Sequence, residues 1–192
     1  MRKEVRLLEG SERLRAVEMI RRFHYTHSVP AGKSYYLSCG FAIVVWSIPA
    51  NKNIARFLVG RDAVVWELAR LWAPDGHDRN LLTWAISSAV GWIAMKERPD
   101  GLVSYADPNA GHLGGVYRAA SWSYHGQCDK TRMYKRGKAT LARRSFHSGS
   151  KGMTKAEIEA LGYREICQPG KHRFVKPLAR WFRHALENSS GG

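Results

Sequence analysis

The stretch SYADPNAGHLGGVYRAASWSYHGQ, at 104–127, combines a carboxylate, a glycine pair and a group of aromatic side chains. Gly114 and Gly115 fall where the apolar spacing becomes helical, although each glycine costs about 1 kcal/mol relative to alanine in a helix interior. Two explanations stay open. Either the glycines let this turn approach a ligand and expose its amides to an anion or a carbonyl oxygen, or they permit a tight contact with a neighbouring element.

Two further kinds of side chain that could take part in catalysis, imidazole and carboxylate, lie at the ends of predicted elements. Ile20, His24 and His27 follow one another at steps of three and four residues, which places both histidines on the apolar face of a helix, at its last turn. In the strand predicted over GLVSYAD, at 101–107, period-two alternation places Asp107 at the carboxyl end. The sequence therefore offers imidazole and carboxylate groups at element ends, where sites commonly form.

Charge indicates the class of partner. The 192 residues carry 31 Lys and Arg against 16 Asp and Glu, a formal net charge of +15. Such an excess is typical of proteins that bind polyanions, and nucleic acid is the expected partner, with a merely solvated basic surface as the alternative. No apolar run is long enough to span a bilayer and the first residues do not resemble a secretory signal, so we expect a cytoplasmic protein without a membrane partner.

The apolar patterns predict one α/β domain over 1–187, followed by a disordered tail at 188–192. Three widely separated cysteines indicate neither a disulfide framework nor a zinc site. The basic stretch 129–152 is predicted as a loop or an excursion from the domain. Strands are expected in KEVRLLE, YYLSCGFAIVVWSIP, DAVVWELARLWA, GLVSYAD and SWSYHGQ, with YREICQP and KHRFVKPL as a closing hairpin. Helices are expected after Gly10 and in DRNLLTWAISSAVGWIAMKERP, HLGGVYRAA, MTKAEIEALG and LARWFRHALE.

This order of elements resembles the GNAT acyltransferase fold and, within it, the bacteriophage Mom family of DNA-modifying proteins. The resemblance rests on five segments: FHYTHSVPAGK at 23–33, WELARLW at 66–72, SYADPNAGHLGGVYRAASWSYHGQ at 104–127, RRSFHSGSKGM at 143–153 and GKHRFVKPL at 170–178. It implies a mixed, mostly antiparallel central sheet flanked by helices. It also implies carbamoylmethylation of adenine at N6 in phage DNA, in the cytoplasm of the infected host, as protection against restriction.

The residues tied to activity in the Mom family match His24, Tyr25, Asp107 and Tyr117 here, and some members are described as holding iron near them. The resemblance thus implies a catalytic set in which His24 or Asp107 is the base on the exocyclic amine and a phenol donates to the developing oxyanion. These roles remain interchangeable at this point. For His24 alone, a histidine that only ends its helix is the alternative.

The expected acyl donor differs from that of the CoA-dependent members of the fold. Arg70, Gly114 and Gly115 are assigned to its binding. CoA-dependent members of the fold carry a glycine-rich loop that cradles pyrophosphate at a helix N-terminus, whereas this chain has APDGHDRN, with Asp75 and Asp78. The final substituent also contains a nitrogen that acetyl transfer does not supply. We therefore hypothesise glycyl-tRNA as the donor, with tRNA as a second partner, and keep acetyl-CoA as the alternative.

Adenine N6 is paired inside double-stranded DNA, so an enzyme acting on it must flip the base or use a single strand. Trp122, Tyr124 and Tyr105 are expected to stack on the extruded base, with core packing as the alternative for each. Phosphate contacts are expected from two basic clusters, formed by Arg143, Arg144, His147 and Lys151 and by Lys171, His172 and Arg173. Two other functions stay open: an N-acyltransferase acting on a protein or small amine, and a non-catalytic DNA-binding protein.

Overall fold

The computed structural model describes residues 4–137, 139–148 and 151–189. In chain order its elements are β1 Val5–Leu7, α1 Gly10–Phe23, β2 Ser34–Cys39, β3 Ala42–Ser47, α2 Ile54–Val59, β4 Val65–Trp72, α3 Leu81–Glu97, β5 Gly101–Ala106, α4 Gly115–Ala119, β6 Ser123–Gln127, β7 Thr131–Arg136, β8 Ala139–Ala142, β9 His147–Ser148, β10 Lys151–Gly152, α5 Lys155–Ala160, β11 Arg164–Gln168, β12 His172–Pro177 and α6 Arg180–Ser189.

The central sheet has seven strands in the order β1-β2-β3-β4-β5-β12-β6. Neighbouring strands are antiparallel except β4 and β5, which run parallel. Helices cover both faces: α3 and α4 pack on one, and α1, α2 and α6 pack on the other. The expected mixed, mostly antiparallel sheet flanked by helices is confirmed.

Burial on both faces explains why the middle strands are almost continuously apolar. In β3 every residue is buried, with Val44 in the core under α3 and Val45 in the core under α1. Alternation sends successive side chains to opposite faces, so an apolar residue is needed at each position. A charged side chain within such a strand is taken out of water, and it therefore needs a hydrogen-bonding or oppositely charged partner.

The two parallel strands separate at their carboxyl ends. β4 pairs with β5 only from Val65 to Leu68, against Gly101 to Ser104. Beyond that point β4 stays paired with β3, where a register shift leaves Ala69 as an extra residue, while β5 stays paired with β12 through Ala106. Such a bulge bends its strand, which opens a gap between β4 and β5 at the edge where ligands of parallel strands bind.

Of the two alternatives expected over 129–152, the loop is wrong, and the stretch forms an excursion with its own secondary structure. This stretch supplies β7 and β8 to a second, three-stranded sheet of order β11-β7-β8, with α5 packed against it. Tyr134, Phe146, Ile158 and Tyr163 form its small core. The many basic residues of this stretch hid the few apolar side chains that fold it.

The prediction of a closing hairpin is also wrong. β11 pairs with β7 in the small sheet, whereas β12 lies between β5 and β6 in the central sheet. The chain crosses between the sheets at Gly170, where a β-carbon would lie 1.9 Å from the carbonyl oxygen of Cys128. Two adjacent strand patterns show that both segments are extended, but they do not identify the partners.

The ends of two helices differ from those predicted. Helix α1 ends at Phe23, so His24 follows the helix as a buried residue, while His27 is exposed and not on an apolar helix face. Helix α6 continues to Ser189, which makes residues 188 and 189 of the expected tail helical; residues 190–192 lie outside the described part of the chain. Among the described residues, no helix has the length and apolar character needed to cross a membrane.

Candidate active site

The gap between β4 and β5 opens into a cavity of about 520 Å³. Its walls come from the end of α1 and the residues after it, the end of β4 and the following loop, the end of β5, and the segment 111–117 that leads into α4. Helices from both faces of the sheet therefore contribute to one space. Its volume lies within the range of small-molecule sites, which is about 300–1,000 Å³.

Three of the four expected catalytic side chains line this cavity and the fourth lies beside it. His24, Tyr25 and Tyr117 are lining residues. Asp107 follows β5 next to the lining residues Tyr105 and Ala106, and its charge contributes to the raised pKa of Tyr25. The fold thus brings together residues from two segments that are more than eighty positions apart in the sequence.

The ring of His24 is held in one orientation by Thr26. The backbone N–H of Thr26 donates to Nδ1 over 3.2 Å, and the hydroxyl oxygen of Thr26 lies 2.9 Å from the same nitrogen. A backbone N–H cannot reorient as a hydroxyl can, so Nδ1 must present its lone pair. The neutral imidazole consequently carries its proton on Nε2.

His24 is also kept uncharged. Only 8% of its surface is exposed. Burial, followed by the positive charges of Arg70 and His112, lowers its pKa to about 4. At neutral pH the side chain is therefore a neutral hydrogen-bond donor through Nε2.

The two phenols differ in burial. Tyr117 is buried, and burial raises its pKa to about 12, although the neighbouring hydroxyl of Ser104 acts in the opposite direction. The Ser104 hydroxyl itself donates to the carbonyl of Leu68 over 2.8 Å. Tyr25 is 36% exposed at the mouth, with its ring between those of His24 and His112 at 4.6 and 4.8 Å. Burial and the charge of Asp107 raise its pKa, so it too stays protonated.

The carboxylate of Asp107 is fixed on one side and faces a cation on the other. Its Oδ1 accepts hydrogen bonds from the backbone N–H and the side-chain amide of Asn109, at 3.0 and 2.9 Å. Its Oδ2 lies 3.7 Å from the ammonium of Lys171. The charge of Lys171 also contributes to the lowered pKa of His24, so carboxylate, ammonium and imidazole share one electrostatic environment.

Sequence reasoning missed one residue that lines this cavity and one charged residue that acts on the site electrostatically. His112 lines the cavity and packs on Tyr25. Glu67 is largely buried on β4, burial raises its pKa, and its charge helps raise the pKa of Tyr105 and Tyr117. A carboxylate in the middle of the apolar strand VWELARLW was a usable signal for Glu67, whereas the sequence around His112 carries none.

The three residues that were expected to bind the acyl donor have different surroundings. Arg70 is not a lining residue: its guanidinium donates to the carbonyl and hydroxyl of Ser28, at 2.8 and 3.1 Å, and holds the chain after α1 in place. Gly114 lines the cavity, but a β-carbon there would lie 2.1 Å from the ring of Phe174. Gly115 also lines the cavity and has nothing within 4 Å of the same position, so it is the glycine that is open to a ligand.

The three aromatic residues expected to stack on a base are placed differently. Tyr105 lines the cavity. Trp122 is 3% exposed in the core and packs on Tyr117, so core packing accounts for it and its ring reaches no surface that a base could contact. Tyr124 is exposed on β6, where its hydroxyl lies 3.2 Å from Nδ1 of His172.

The fold places the residues that were expected to contact phosphate in different regions of the protein. Lys171 and His172 lie at the start of β12, beside Asp107. Arg173 extends to the opposite face, where its guanidinium bonds the His125 carbonyl and lies over the ring of Phe57, which corrects its assignment to the same cluster. Arg143 donates to the Tyr134 hydroxyl and the Met153 carbonyl within the small sheet. The side chains of Arg144, His147 and Lys151 lie outside the described part of the structure.

The residues present do not fit the iron that the resemblance implies. An imidazole whose Nδ1 accepts from Thr26 has no lone pair at Nε2 for a metal. Burial keeps the phenol of Tyr117 protonated, with a pKa raised to about 12, and Asp107 faces Lys171. Among residues 4–137, 139–148 and 151–189 there is no group of three or more His, Cys, Asp or Glu that could hold a metal ion.

Comparison with known proteins gives one family. The model of the Mom protein family matches residues 8–190. Among solved structures, the chain is similar to a Drosophila melanogaster polyamine N-acetyltransferase described as catalysing the formation of N-acetylagmatine. The two share 10% sequence identity, with 91% of this chain and 100% of that chain covered and a TM-score of 0.49. No curated protein sequence matches this chain.

Proposed function

The chain belongs to the Mom protein family, and from this premise we propose that it is a transferase that acylates the N6 amine of adenine in DNA. The observation that carries the proposal is the cavity at the separated ends of β4 and β5. There a neutral imidazole and a free phenol face one space with a fixed carboxylate at its rim. This is the set of groups that acyl transfer to a weak amine requires.

The size of the cavity, its aromatic surface and the charge of the chain support adenine in DNA as the substrate. A cavity of about 520 Å³ has room for a purine and a two-carbon acyl group. Tyr25, partly exposed at the mouth, and Tyr105, inside, offer aromatic surfaces to a base that has left the duplex. The net charge of +15 supplies the non-specific attraction to the DNA backbone.

The geometry supports one assignment of the roles that the sequence left interchangeable. N6 attacks the carbonyl carbon of the donor, forming the N–C bond, while its proton passes to Asp107 through Oδ2. The oxyanion that develops accepts hydrogen bonds from Nε2–H of His24 and from the hydroxyl of Tyr25. The bond from the carbonyl carbon to the leaving oxygen or sulfur then breaks, and the proton held by Asp107 passes to that leaving atom, which restores the carboxylate. Tyr117, which is buried against Trp122 and Phe174, positions the wall of the cavity.

Two features support a glycyl donor over acetyl-CoA. Asp75 lines the cavity at the loop after β4, where a CoA pyrophosphate would meet its negative charge. A glycyl group on N6 also carries its own amine, which can attack C6 of the purine through a five-membered ring. The C6–N6 bond then breaks in favour of the new C6–N bond, giving a carbamoylmethyl amine with no atom gained or lost. We therefore propose glycyl-tRNA as donor.

Nucleoside mass spectrometry tests this function. DNA from bacteria that express the chain should contain a modified adenine that DNA from cells expressing Asp107→Asn lacks. Purified protein should then transfer label to duplex DNA from [14C]glycyl-tRNA and not from [14C]acetyl-CoA. Label from acetyl-CoA alone would remove the glycyl donor, and label on protein or small amines without DNA would select an N-acyltransferase of another class. DNA binding with unmodified adenine in both samples would leave a non-catalytic binding protein.

A further inference from the structure

A second cavity, of about 490 Å³, lies between the end of β12, the start of β6 and helix α6. None of its lining residues lines the candidate active site. Its polar lining is mostly basic or hydroxylic: Ser121, Ser123, His125, Lys176, Arg183 and Glu187. Two cations, two hydroxyls and an imidazole around one groove are the groups that bind phosphate oxygens in nucleic-acid interfaces.

Lys176 is fixed in the wall of this groove. Its ammonium donates to the carbonyls of Ala120 and Ser121, at 3.1 and 3.2 Å. An ammonium has three donors, so these bonds orient it and leave one N–H for a ligand. Lys176 and Arg183 line the same cavity, and burial and then the charge of Arg183 lower the pKa of Lys176. Among the described residues neither forms an ion pair with a carboxylate.

The groove is connected to the active site by the strand β12. His172 and Lys176 are four residues apart, so they lie on the same face, about 13 Å from each other at 3.3 Å per residue. His172 follows Lys171, the partner of Asp107. Between the two ends Arg118 lies over the ring of Tyr124, which is itself hydrogen-bonded to His172.

These side chains form what we call the basic track: Lys171, His172, Arg118, Lys176 and Arg183. It begins at the rim of the cavity that would receive the flipped base and ends in the second cavity. At 3.4 Å of rise per base pair, its length corresponds to about four base pairs. This continuity favours the DNA that delivers the base over a separate RNA, since phosphate contacts fix the register of the duplex that they flank.

We propose that the basic track binds the phosphodiester backbone of duplex DNA beside the flipped adenine, with one phosphate seated between Lys176 and Arg183. The inference rests on the proposed function, because only a DNA-modifying protein needs to hold the duplex at this distance from the site. It assigns a binding role to Arg118, Lys176 and Arg183 and to the hydroxyls of Ser121 and Ser123.

The test uses the full chain and a fluorescein-labelled duplex of about 25 base pairs, with anisotropy titrations at several salt concentrations. Arg183 is exposed on α6, so Arg183→Gln leaves the fold intact, and matching thermal unfolding verifies this. Loss of one phosphate contact should reduce the slope of log K against log salt by about 0.9 and weaken binding several-fold at low salt. Glu187→Gln, which removes the carboxylate one helical turn away, should instead leave binding unchanged or tighten it.

The matched control is Arg15→Gln on α1. Arg15 is exposed, and α1 packs over β2 and β3, at the far end of the sheet from β6. Its salt slope should equal that of the wild type. Equal slopes for Arg183→Gln and the wild type, or an equal loss in Arg15→Gln, would overturn the inference while leaving the proposed function standing. Weaker binding of tRNA with unchanged binding of duplex would overturn it in favour of an RNA site, and no wild-type binding to duplex would remove the proposed function itself.

Discussion

Gly114 packs directly against the ring of Phe174: a β-carbon at position 114 would lie 2.1 Å from Cε2 of that ring. The backbone of Gly114 also has a φ of +78°, in the left-handed region that other residues avoid. Phe174 is fully buried on β12 and packs on Tyr117. Of the two explanations for the glycine pair, tight packing applies to Gly114, and openness to a ligand applies to Gly115.

We therefore expect Gly114→Ala to lower the free energy of unfolding. The left-handed backbone costs about 1–2 kcal/mol for a residue with a β-carbon, and overpacking against Phe174 adds about 1–3 kcal/mol. Denaturant titration measures the sum. Gly115→Ala is the control: nothing lies within 4 Å of its β-carbon, so its stability should stay near that of the wild type. Wild-type stability in Gly114→Ala would contradict the packing explanation.

The orientation of His24 predicts its tautomer. Since the Thr26 N–H donates to Nδ1, the proton should reside on Nε2. Two-dimensional 1H–15N spectra of the protein labelled at histidine nitrogens should show a protonated Nε2 and an unprotonated Nδ1 at neutral pH. A protonated Nδ1 would contradict both the geometry and the donor role assigned to this residue.

The same role predicts an order among His24 variants. Gln offers an N–H donor and Glu offers only a base at neutral pH, so His24→Gln should retain more transferase activity than His24→Glu. Loss of one oxyanion donor costs about 10²–10³ in rate, which sets the scale for His24→Glu. Single-turnover transfer to duplex DNA measures the difference. A more active His24→Glu would make His24 the base.

The two phenols should separate in their effects. Tyr25→Phe removes a hydroxyl with a proposed role in transfer, and it should lower activity by about 10²-fold with little change in stability. Tyr117→Phe keeps the ring that packs on Trp122 and Phe174 and removes a buried hydroxyl near Ser104, so it should cost about 1 kcal/mol of stability with a smaller effect on rate. Parallel activity and unfolding measurements on both variants test this. The reverse pattern would assign the oxyanion role to Tyr117.

The sequence predicts elements better than it predicts their partners. Helix α3 and strand β5 lie where periodicity and the flanking Asp and Pro residues place them, because those signals are local. The pairing of β11 with β7 depends on where the chain crosses at Gly170, and that crossing depends on a contact with Cys128 that is distant in sequence. Extended segments with similar patterns can exchange partners without changing either pattern.

In the candidate site, too, local patterns predict some positions, whereas contacts between distant segments determine others. Alternation along β5, ended by Pro108, places Asp107 at the carboxyl end of the strand, and the structure agrees. The approach of His112 to Tyr25 arises because the segment before α4 folds back over the end of α1. The separation of the two phenols rests on burial, because Tyr117 packs in the core whereas Tyr25 lies at the mouth of the cavity, and the sequence pattern around them does not show this difference. Such contacts exist only after the sheet has formed.

The burial of His24 predicts how stability depends on pH. Its pKa is about 4 in the folded protein and about 6.5 in an unfolded chain. Between these values the unfolded state binds more protons, so the free energy of unfolding should rise with pH from about 4 to about 6.5 and fall on acidification. At 1.36 kcal/mol per pH unit the full effect is about 3 kcal/mol.

Urea titrations of the wild type and His24→Gln at pH 7.5 and 4.5 measure this effect as the difference between their pH dependences, which also cancels the contribution of carboxylates. His27→Gln, at an exposed histidine, should keep the wild-type pH dependence. If wild type and His24→Gln lose equal stability over this interval, His24 is not buried as a neutral imidazole, and its assignment as a donor that is already uncharged at neutral pH fails with it.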